Sequence, residues 1–289
     1  MDKFLHSLKQ LENDGRLRSL QQSRGIDFSS NDYLGFAHHP ALRQTVLEWI
    51  ERGEVIGSGG SRLLRGNHPA HEALETYAAD YFGAERALYF ATGFQANHAI
   101  FSTLPDRHDV VIYDEFIHAS VRDGIQGGFA KSYKFRHNDA NDCERVIRRA
   151  RDNGAQEIFI AVESLYSMDG DFAPLSDFLA LCERYEALLI VDEAHATGIW
   201  GLGGKGLATP ADNIITLHTG GKALGVAGGL VCASSIIIDT LVNKARPFIY
   251  STAPLPLQAA LLHRALQLSH DEPQHRLRLH DLCDYAREK

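Results

Sequence analysis

The hydrophobic positions of the chain form short apolar runs that alternate with segments of helical spacing. Each run predicts a β-strand, and the runs lie at 87–91, 110–114, 157–164, 188–194, 214–218 and 229–234. Apolar residues at helical spacing predict helices over 70–82, 141–152 and 174–187. Residues 1–25 are predicted to form a helix followed by a loop.

Strands that are apolar throughout are typical of a parallel sheet that is buried on both faces. The sequence therefore predicts an α/β fold, with a mostly parallel sheet flanked by helices. In such sheets ligands bind outside the carboxyl ends of the strands. Glu163 and Asp192 end two predicted strands, and Thr219 with Lys222 follows a third, so a sheet would bring them to one crevice. Taken singly, each is equally consistent with a solvated loop residue.

Composition and charge argue against several classes of protein. The net charge of −8 argues against a nucleic-acid partner, because phosphate binding needs a basic surface. No apolar run approaches the ~20 residues of a membrane span, and the first residues lack the apolar core of a signal peptide. The four cysteines are far apart, which predicts neither disulfides nor a zinc site and favours a cytoplasmic protein. The 15 histidines show no metal-ligand spacing, so no metal is expected.

Two segments carry candidate reactive groups. LHTGGKAL places Lys222 after two glycines, where a partly buried amine can lose its proton and attack an aldehyde. The alternative is a surface lysine beside a glycine turn, and the phosphate-loop pattern that TGGK suggests is incomplete. VDEAHATG places Asp192 three residues before His195, a carboxylate that could pair with a protonated ring nitrogen. The alternative is a carboxylate that caps the next turn.

Two further segments suggest ligand contacts. FATGFQANHA is a strand that runs through Thr-Gly into a helix, and backbone N–H groups at such a helix start can hold an anion. YDEFIHAS places His118 between a strand and a helix, where an imidazole could stack on an aromatic ligand. A lone histidine in that position is more often structural.

Together these residues resemble the α-oxoamine synthase family of fold-type I pyridoxal-phosphate enzymes. Seven motifs occur in the family's order: NDYLGFAHHP, GSGGSRLLRGNHPAHEALE, ATGFQANHAI, DEFIHASVRDG, ESLYSMDGD, VDEAHATG and TGGKALGVAGG. The resemblance covers essentially the whole chain. It implies the pyridoxal-phosphate-dependent transferase fold of type I.

The resemblance also implies roles for the cofactor's ring. Lys222 would hold pyridoxal 5'-phosphate as a Schiff base, and the catalytic set would add His118, Asp192 and His195. Asp192 would face the pyridine nitrogen and His195 the ring hydroxyl, while His118 would stack over the ring.

The remaining implied roles concern the phosphate and the substrate. Gly93 and Phe94 would bind the phosphate through their backbone, and Thr219 would add a hydroxyl. Ser167 would lie near the cofactor, and Asn31 and Glu163 would contact the substrate. In this family the site lies between two subunits, which implies a homodimer in which Ser251 or Thr252 reaches the neighbour's phosphate.

The implied reaction is a decarboxylative condensation of an amino acid with an acyl-CoA or acyl-ACP. GSGGSRL and SMDGD favour the member of biotin biosynthesis, which implies L-alanine and a pimeloyl thioester as substrates. Another member, such as a glycine C-acetyltransferase, stays open, as does a non-catalytic partner subunit. A nucleotide-binding Rossmann protein fits poorly, because no GxGxxG follows a first strand.

Family members continue for roughly another hundred residues, the size of a small domain. We expect an N-terminal segment at 1–40, a cofactor domain at 41–250 and the start of a small domain at 251–289. Without the arginine that the family places later, we expect the chain to bind the cofactor but to turn over poorly. We also expect apolar surface to be exposed around APLPLQAALLHRAL.

Overall fold

A computed structural model describes residues 1–22 and 24–289, and these residues divide into two units. The first unit, Met1–Ser30, contains helix α1 (Asp2–Asn13), which has no buried residue. The predicted N-terminal helix is thereby confirmed. The second unit, Asn31–Lys289, contains the other helices and all strands that the structure describes.

The second unit is built on a seven-stranded sheet. Its strands are β1 (Arg86–Phe90), β2 (Val110–Asp114), β3 (Lys131–Phe135), β4 (Ile158–Glu163), β5 (Leu188–Asp192), β6 (Ile214–Thr219) and β7 (Gly229–Ala233). Their spatial order is β1-β7-β6-β5-β4-β2-β3. Only β7 runs against its neighbours, so the predicted α/β fold with a mostly parallel sheet is confirmed.

Helices cover the sheet. They are α2 (Pro40–Glu51), α3 (Pro69–Phe82), α4 (Gly93–Thr103), α5 (Ala119–Gln126), α6 (Ala140–Asp152), α7 (Leu175–Tyr185), α8 (Ser235–Lys244), the short α9 (Arg246–Ile249), α10 (Pro256–Asp271) and α11 (Gln274–Arg287). None of the helices among the described residues is long and apolar enough to span a membrane.

Both faces of the sheet are buried, and β4 illustrates why its sequence is apolar throughout. Phe159 and Ala161 point into a core shared with α4, α5 and α8. Ile158, Ile160 and Val162 point the other way, into a core shared with α6 and α7. Successive side chains of a strand alternate between faces, so a strand covered on both sides must be apolar at every position.

The predicted strands agree with the observed ones to within one or two residues, but β3 was not predicted. Its sequence, KSYKF, carries two lysines, and its side chains are mostly exposed or half-buried. The strand lies at the edge of the sheet beside β2, where charged side chains are common because one face stays solvated. An apolar pattern cannot reveal such a strand.

The expected apolar exposure around APLPLQAALLHRAL is wrong for most of that segment. It forms α10, which packs on α3 and α2 and buries Ala259, Leu262, Ala265 and Leu266 completely. The helix therefore belongs to the core of the second unit. Leu255, just before it, remains 46% exposed.

The core around α6 and α7 gives a test of this packing. Phe178 is fully buried and its ring centroid lies 5.5 Å from that of Phe135. We expect Phe178→Ala to lower the free energy of unfolding by about 3–5 kcal/mol, because it removes a buried ring and leaves a cavity. Urea denaturation measures the loss. The control is Phe129→Ala, since Phe129 is 77% exposed; equal losses in the two variants would contradict the packing described.

Candidate active site

The carboxyl ends of the parallel strands bring four polar residues to one edge of the sheet. Asp114, Glu163, Asp192 and Thr219 are the last residues of β2, β4, β5 and β6. All four are buried, and Glu163 and Asp192 are direct partners in the pairing of β4 with β5. The strands therefore bring these residues to one edge of the sheet, as the apolar runs predicted.

Asp192 is held by a chain of hydrogen bonds that ends at His118. Its two carboxylate oxygens accept from Asn97 Nδ2 at 2.7 Å and from the backbone N–H of Ala194 at 2.9 Å. Asn97 Nδ2 also donates to Ser120 Oγ at 2.9 Å, and that hydroxyl lies 2.8 Å from His118 Nδ1. A carboxylate oxygen accepts hydrogen bonds, and here both oxygens meet donors. The chain fixes Asp192 relative to the imidazole of His118, which itself remains exposed.

Lys222 and His195 form a second group beside the first. Lys222 Nζ lies 2.5 Å from His195 Nε2, and His195 Nδ1 lies 2.9 Å from the hydroxyl of Tyr33. Tyr33 donates its only hydrogen to Asn31 Oδ1 at 3.0 Å, so it accepts from His195 Nδ1–H. The Nε2 atom of His195 is then the acceptor that faces Lys222.

Burial decides the protonation of these groups. It lowers the pKa of His195 to about 4, with the charge of Lys222 adding to the effect, so the ring is neutral near neutral pH. Burial also lowers the pKa of Lys222, against the attraction of Asp192 and Glu163. For Glu163, burial and the charge of Asp192 raise the pKa. Burial thus shifts the amine of Lys222 towards its uncharged form and the carboxyl group of Glu163 towards its protonated form.

The first turn of α4 offers backbone N–H groups beside Thr219. Thr92 caps this helix by accepting from Gln95 N at 3.1 Å. Gly93 follows the cap and lies so close to Thr219 that an added Cβ would be 3.4 Å from Thr219 Oγ1. The N–H groups of Gly93 and Phe94 belong to the turn that has no partners within the helix, where anions bind.

Six sequence-predicted residues lie outside the two hydrogen-bonded groups, and three of them, Glu163, Gly93 and Thr219, lie beside those groups at the sheet edge and the first turn of α4. Ser167 and Thr252 are exposed, and Phe94 is 47% exposed. Ser251 accepts from Gln95 Nε2 at 3.2 Å, which places it beside the first turn of α4 of the same chain. The structure brings together Asn31, Glu163, Asp192, His195 and Lys222, with His118 connected through Asn97.

Sequence reasoning missed Asn97, Ser120 and Tyr33, which connect the predicted residues. Asn97 is the one fully buried amide in α4, and a polar residue on the apolar face of a helix was the available signal. Tyr33 stands in the quoted motif NDYLG, but only its neighbour Asn31 was selected. Glu193 was also missed; it is fully buried and accepts from Ser164 Oγ at 2.6 Å.

A separate group of His39, Glu272 and His275 brings its ligand atoms within 4.8 Å of one another. His39 Nδ1 accepts from the backbone N–H of Ala41 at 3.2 Å, so the neutral ring carries its hydrogen on Nε2. His39 Nε2 lies 3.4 Å from Glu272 Oε2, and His275 Nε2 is hydrogen bonded to the same oxygen at 3.2 Å. The group is accounted for as a contact of Glu272, between α10 and α11, with the start of α2.

Comparison with known proteins gives a consistent family. The model of the family described as aminotransferase class I and II matches residues 23–289. An 8-amino-7-oxononanoate synthase of Chromobacterium violaceum is 42% identical, over 91% of this chain and 69% of the relative. The synthase of Geobacter sulfurreducens is 40% identical, over 92% of this chain and 72% of the relative.

Solved structures agree with the sequence relatives. A serine palmitoyltransferase from S. paucimobilis, solved with a bound PLP–myriocin aldimine, matches with a TM-score of 0.86 and 27% identity. The match covers 96% of this chain and 76% of that one. An 8-amino-7-oxononanoate synthase from Francisella tularensis matches with a TM-score of 0.72 and 29% identity, over 90% and 76% of the two chains.

The hydrogen bond from Asn97 to Asp192 can be tested by its effect on stability. We expect Asn97→Ala to lower the free energy of unfolding by about 1–3 kcal/mol, because a buried carboxylate loses a donor. Urea denaturation at neutral pH measures this. The control is Asn243→Ala in α8, where Asn243 is exposed and donates to the backbone of Asp239. If both variants lose the same stability, the bond does not hold the buried carboxylate.

Proposed function

Because the chain belongs to the aminotransferase class I and II family, and within it to the α-oxoamine synthases, we propose that it is a pyridoxal-phosphate-dependent acyltransferase. The proposed reaction joins an amino acid to an acyl thioester with loss of carbon dioxide. The observation that carries the proposal is Lys222, a half-buried amine with a lowered pKa that lies beside two buried carboxylates.

The residues at the sheet edge fit the parts of pyridoxal phosphate. A protonated pyridine nitrogen needs a buried carboxylate, and Asp192 is 6% exposed with both oxygens positioned by donors. A phosphate needs backbone N–H groups, which the first turn of α4 provides at Gly93 and Phe94, next to the hydroxyl of Thr219. An aldehyde needs an uncharged amine, which the burial of Lys222 favours.

The bound cofactor supplies an electron sink for the carbanion at the amino acid's α-carbon. Lys222 is the residue placed to take the α-proton, because burial lowers the pKa of its amine and so favours the free base. His195 presents its acceptor atom Nε2 to Lys222 Nζ and so orients that amine. Asp192 would stabilise positive charge on the pyridine nitrogen, since Asn97 and the N–H of Ala194 hold its carboxylate in place.

Glu163 has a different task from its neighbour. Two carboxylates on adjacent strands cannot both carry full charge cheaply, and burial together with Asp192 raises the pKa of Glu163. A protonated Glu163 can donate a hydrogen bond to a substrate oxygen. The proposal therefore keeps Glu163 and Asn31 as substrate contacts. It keeps Ser167 and Thr252 as cofactor contacts, with His118 stacked on the ring.

For the substrates we propose L-alanine and a pimeloyl thioester, carried by acyl carrier protein or coenzyme A. The product would be 8-amino-7-oxononanoate. Relatives with that activity in their names are 35–42% identical to this chain, and they supply the support. A sister activity that uses glycine or serine is the second candidate, because the fold match extends to serine palmitoyltransferases. The division into segments 1–40, 41–250 and 251–289 remains a prediction.

Visible absorption of the protein incubated with pyridoxal phosphate tests both the cofactor and the amino acid. We expect a cofactor band that shifts with L-alanine and less with glycine or serine. Borohydride should trap the cofactor on Lys222, and Lys222→Ala should abolish the trapped adduct, since the amine is removed. Lys205→Ala is the control, because Lys205 lies in the loop after β5. An adduct that persists in Lys222→Ala would contradict the assignment of Lys222 as the cofactor's lysine. A band that shifts with glycine alone would contradict L-alanine as the amino-acid substrate.

We also propose a homodimer that places Thr252 near the partner's cofactor. The support is the exposed apolar surface beside it, where Tyr250 is 73% and Leu255 46% exposed. Light scattering at micromolar concentration should give about twice the chain mass of 32.0 kDa. Leu255→Asp should shift the protein towards monomer, whereas Leu202→Asp, at a residue 90% exposed elsewhere, should not. A monomer that binds the cofactor tightly would contradict the shared site.

A further inference from the structure

Residues 164–173 form a hairpin whose tip depends on side chains for its position. Leu165 pairs with Phe172, and Tyr166 N donates to Asp171 O at 3.0 Å. The tip carries Ser167 and Met168, and Met168 is 90% exposed. These backbone bonds close the hairpin on itself. Its base is tied to β5, where Ser164 N donates to Asp192 O at 3.0 Å, but among the described residues no backbone bond holds the tip to the sheet.

His137, which follows β3, connects this hairpin to the end of β2. Its Nδ1 lies 2.9 Å from Asp114 Oδ1, and its Nε2 lies 2.8 Å from Asp171 Oδ2. The ring is stacked on Phe116 at 4.5 Å and meets the edge of Tyr166 at 4.5 Å. The imidazole is thus enclosed by aromatic rings and bounded at each nitrogen by a carboxylate.

A neutral imidazole has one N–H and can donate to only one of these carboxylates. The imidazolium donates from both nitrogens, and both bonds are then charge-assisted. We propose that His137 is a positioning residue, which acts as an imidazolium to tie the Ser167 hairpin to Asp114 and so holds Ser167 at the carboxyl edge of the sheet. The inference rests on the proposed function only for the role of Ser167.

The protonation of His137 agrees with this geometry. Burial lowers its pKa, but the hydrogen bonds and charges of Asp114 and Asp171 outweigh burial and raise the pKa above the usual 6.5. A histidine whose pKa is raised on folding stabilises the fold fully below its unfolded pKa, and the contribution is lost as pH rises through the folded pKa. The hairpin should therefore be held firmly at pH 6 and more loosely at alkaline pH.

The two aspartates are the charged partners of His137, and the uncharged amide of Asn138 also lies near the ring, with its Nδ2 3.2 Å from His137 Nε2. From the end of β2, Glu115 accepts from the backbone N–H of His137 at 3.2 Å and lies 3.7 Å from Lys134 of β3. Arg136 faces away to Asp139 and Asp142. Tyr166 connects this group to the active site: its hydroxyl accepts from Glu163 N at 3.2 Å, and burial together with the charge of Asp114 raises its pKa.

Asn138 makes the same connection without titrating. Its φ of 53° turns the chain so that its backbone N–H donates to Asp114 Oδ2 at 2.9 Å. Its side chain donates to Asp171 Oδ2 at 2.8 Å and to Phe172 O at 3.2 Å. The hairpin should therefore loosen as His137 loses its proton, rather than detach.

Hydrogen exchange of the hairpin amides, followed by mass spectrometry with and without cofactor, tests the inference. In His137→Gln we expect exchange of residues 165–173 at pH 6 to be about tenfold or more faster than in the wild type, because a charge-assisted bond is lost. At pH 9 the two proteins should differ much less. His108→Gln, at an exposed histidine, is the control and should match the wild type. If His137→Gln leaves the exchange of the hairpin unchanged, or speeds exchange throughout the chain, the proposed positioning role of His137 is wrong.

A second variant keeps the test independent of how His137→Gln folds. Asp171→Asn removes one carboxylate, so the ring of His137 should titrate at lower pH than in the wild type by NMR. A ring that titrates at the same pH in both proteins would contradict the pairing. His137→Gln, Ser167→Ala and the double variant should then be compared for their affinity for pyridoxal phosphate. If His137 acts through Ser167, the two losses of affinity should not add in the double variant. Additive losses would contradict this connection. A missing Lys222 adduct would instead count against the proposed function, while the exchange result would still stand.

Discussion

The arrangement of the rest of the site depends on two buried carboxylates on neighbouring strands. Glu163 and Asp192 are paired residues of β4 and β5, and both are nearly inaccessible to water. Like charges so placed repel strongly at low dielectric, so one is neutralised or a cation must lie close. Here Asn97 and a backbone N–H stabilise Asp192, Glu163 tends to keep its proton, and the amine of Lys222 lies nearby.

The sheet makes this arrangement rigid. Its strands are apolar on both faces, so they pack against helices on each side and their carboxyl ends cannot shift independently. Helix α4 contributes at both ends of the site, because its first turn faces Thr219 and its middle carries Asn97. The cost of burying charge is thus offset by one donor from the middle of α4, Asn97, and one from the turn that directly follows β5, the N–H of Ala194.

The sequence predicts those features that depend on residues close together in the chain, and it misses those that depend on how distant segments pack. Strands β1, β2, β4, β5, β6 and β7 were predicted from apolar runs. The polar residues at or just after the ends of β4, β5 and β6 gave the candidates Glu163, Asp192 and Lys222. The edge strand β3 lacked that pattern because it is half-solvated. Asn97 and Ser120 were missed because their bond depends on how two helices are rotated against each other, which spacing along one helix does not determine. The contact of His137 with Asp171 spans 34 positions and needs the hairpin's geometry.

The reversed direction of β7 makes the segment around Lys222 a closed connection between adjacent strands. Gly220 N donates to Gly228 O at 2.9 Å, Val226 N donates to Gly220 O at 2.9 Å, and an added Cβ at Gly225 would meet Ala37 N at 2.2 Å. An inserted residue would break one of these bonds or collide with that backbone. A change of length in the lysine's own loop therefore carries a steric and hydrogen-bonding cost that a change at the solvent-exposed Met168 does not, so the position of the amine is the least adaptable part of the site.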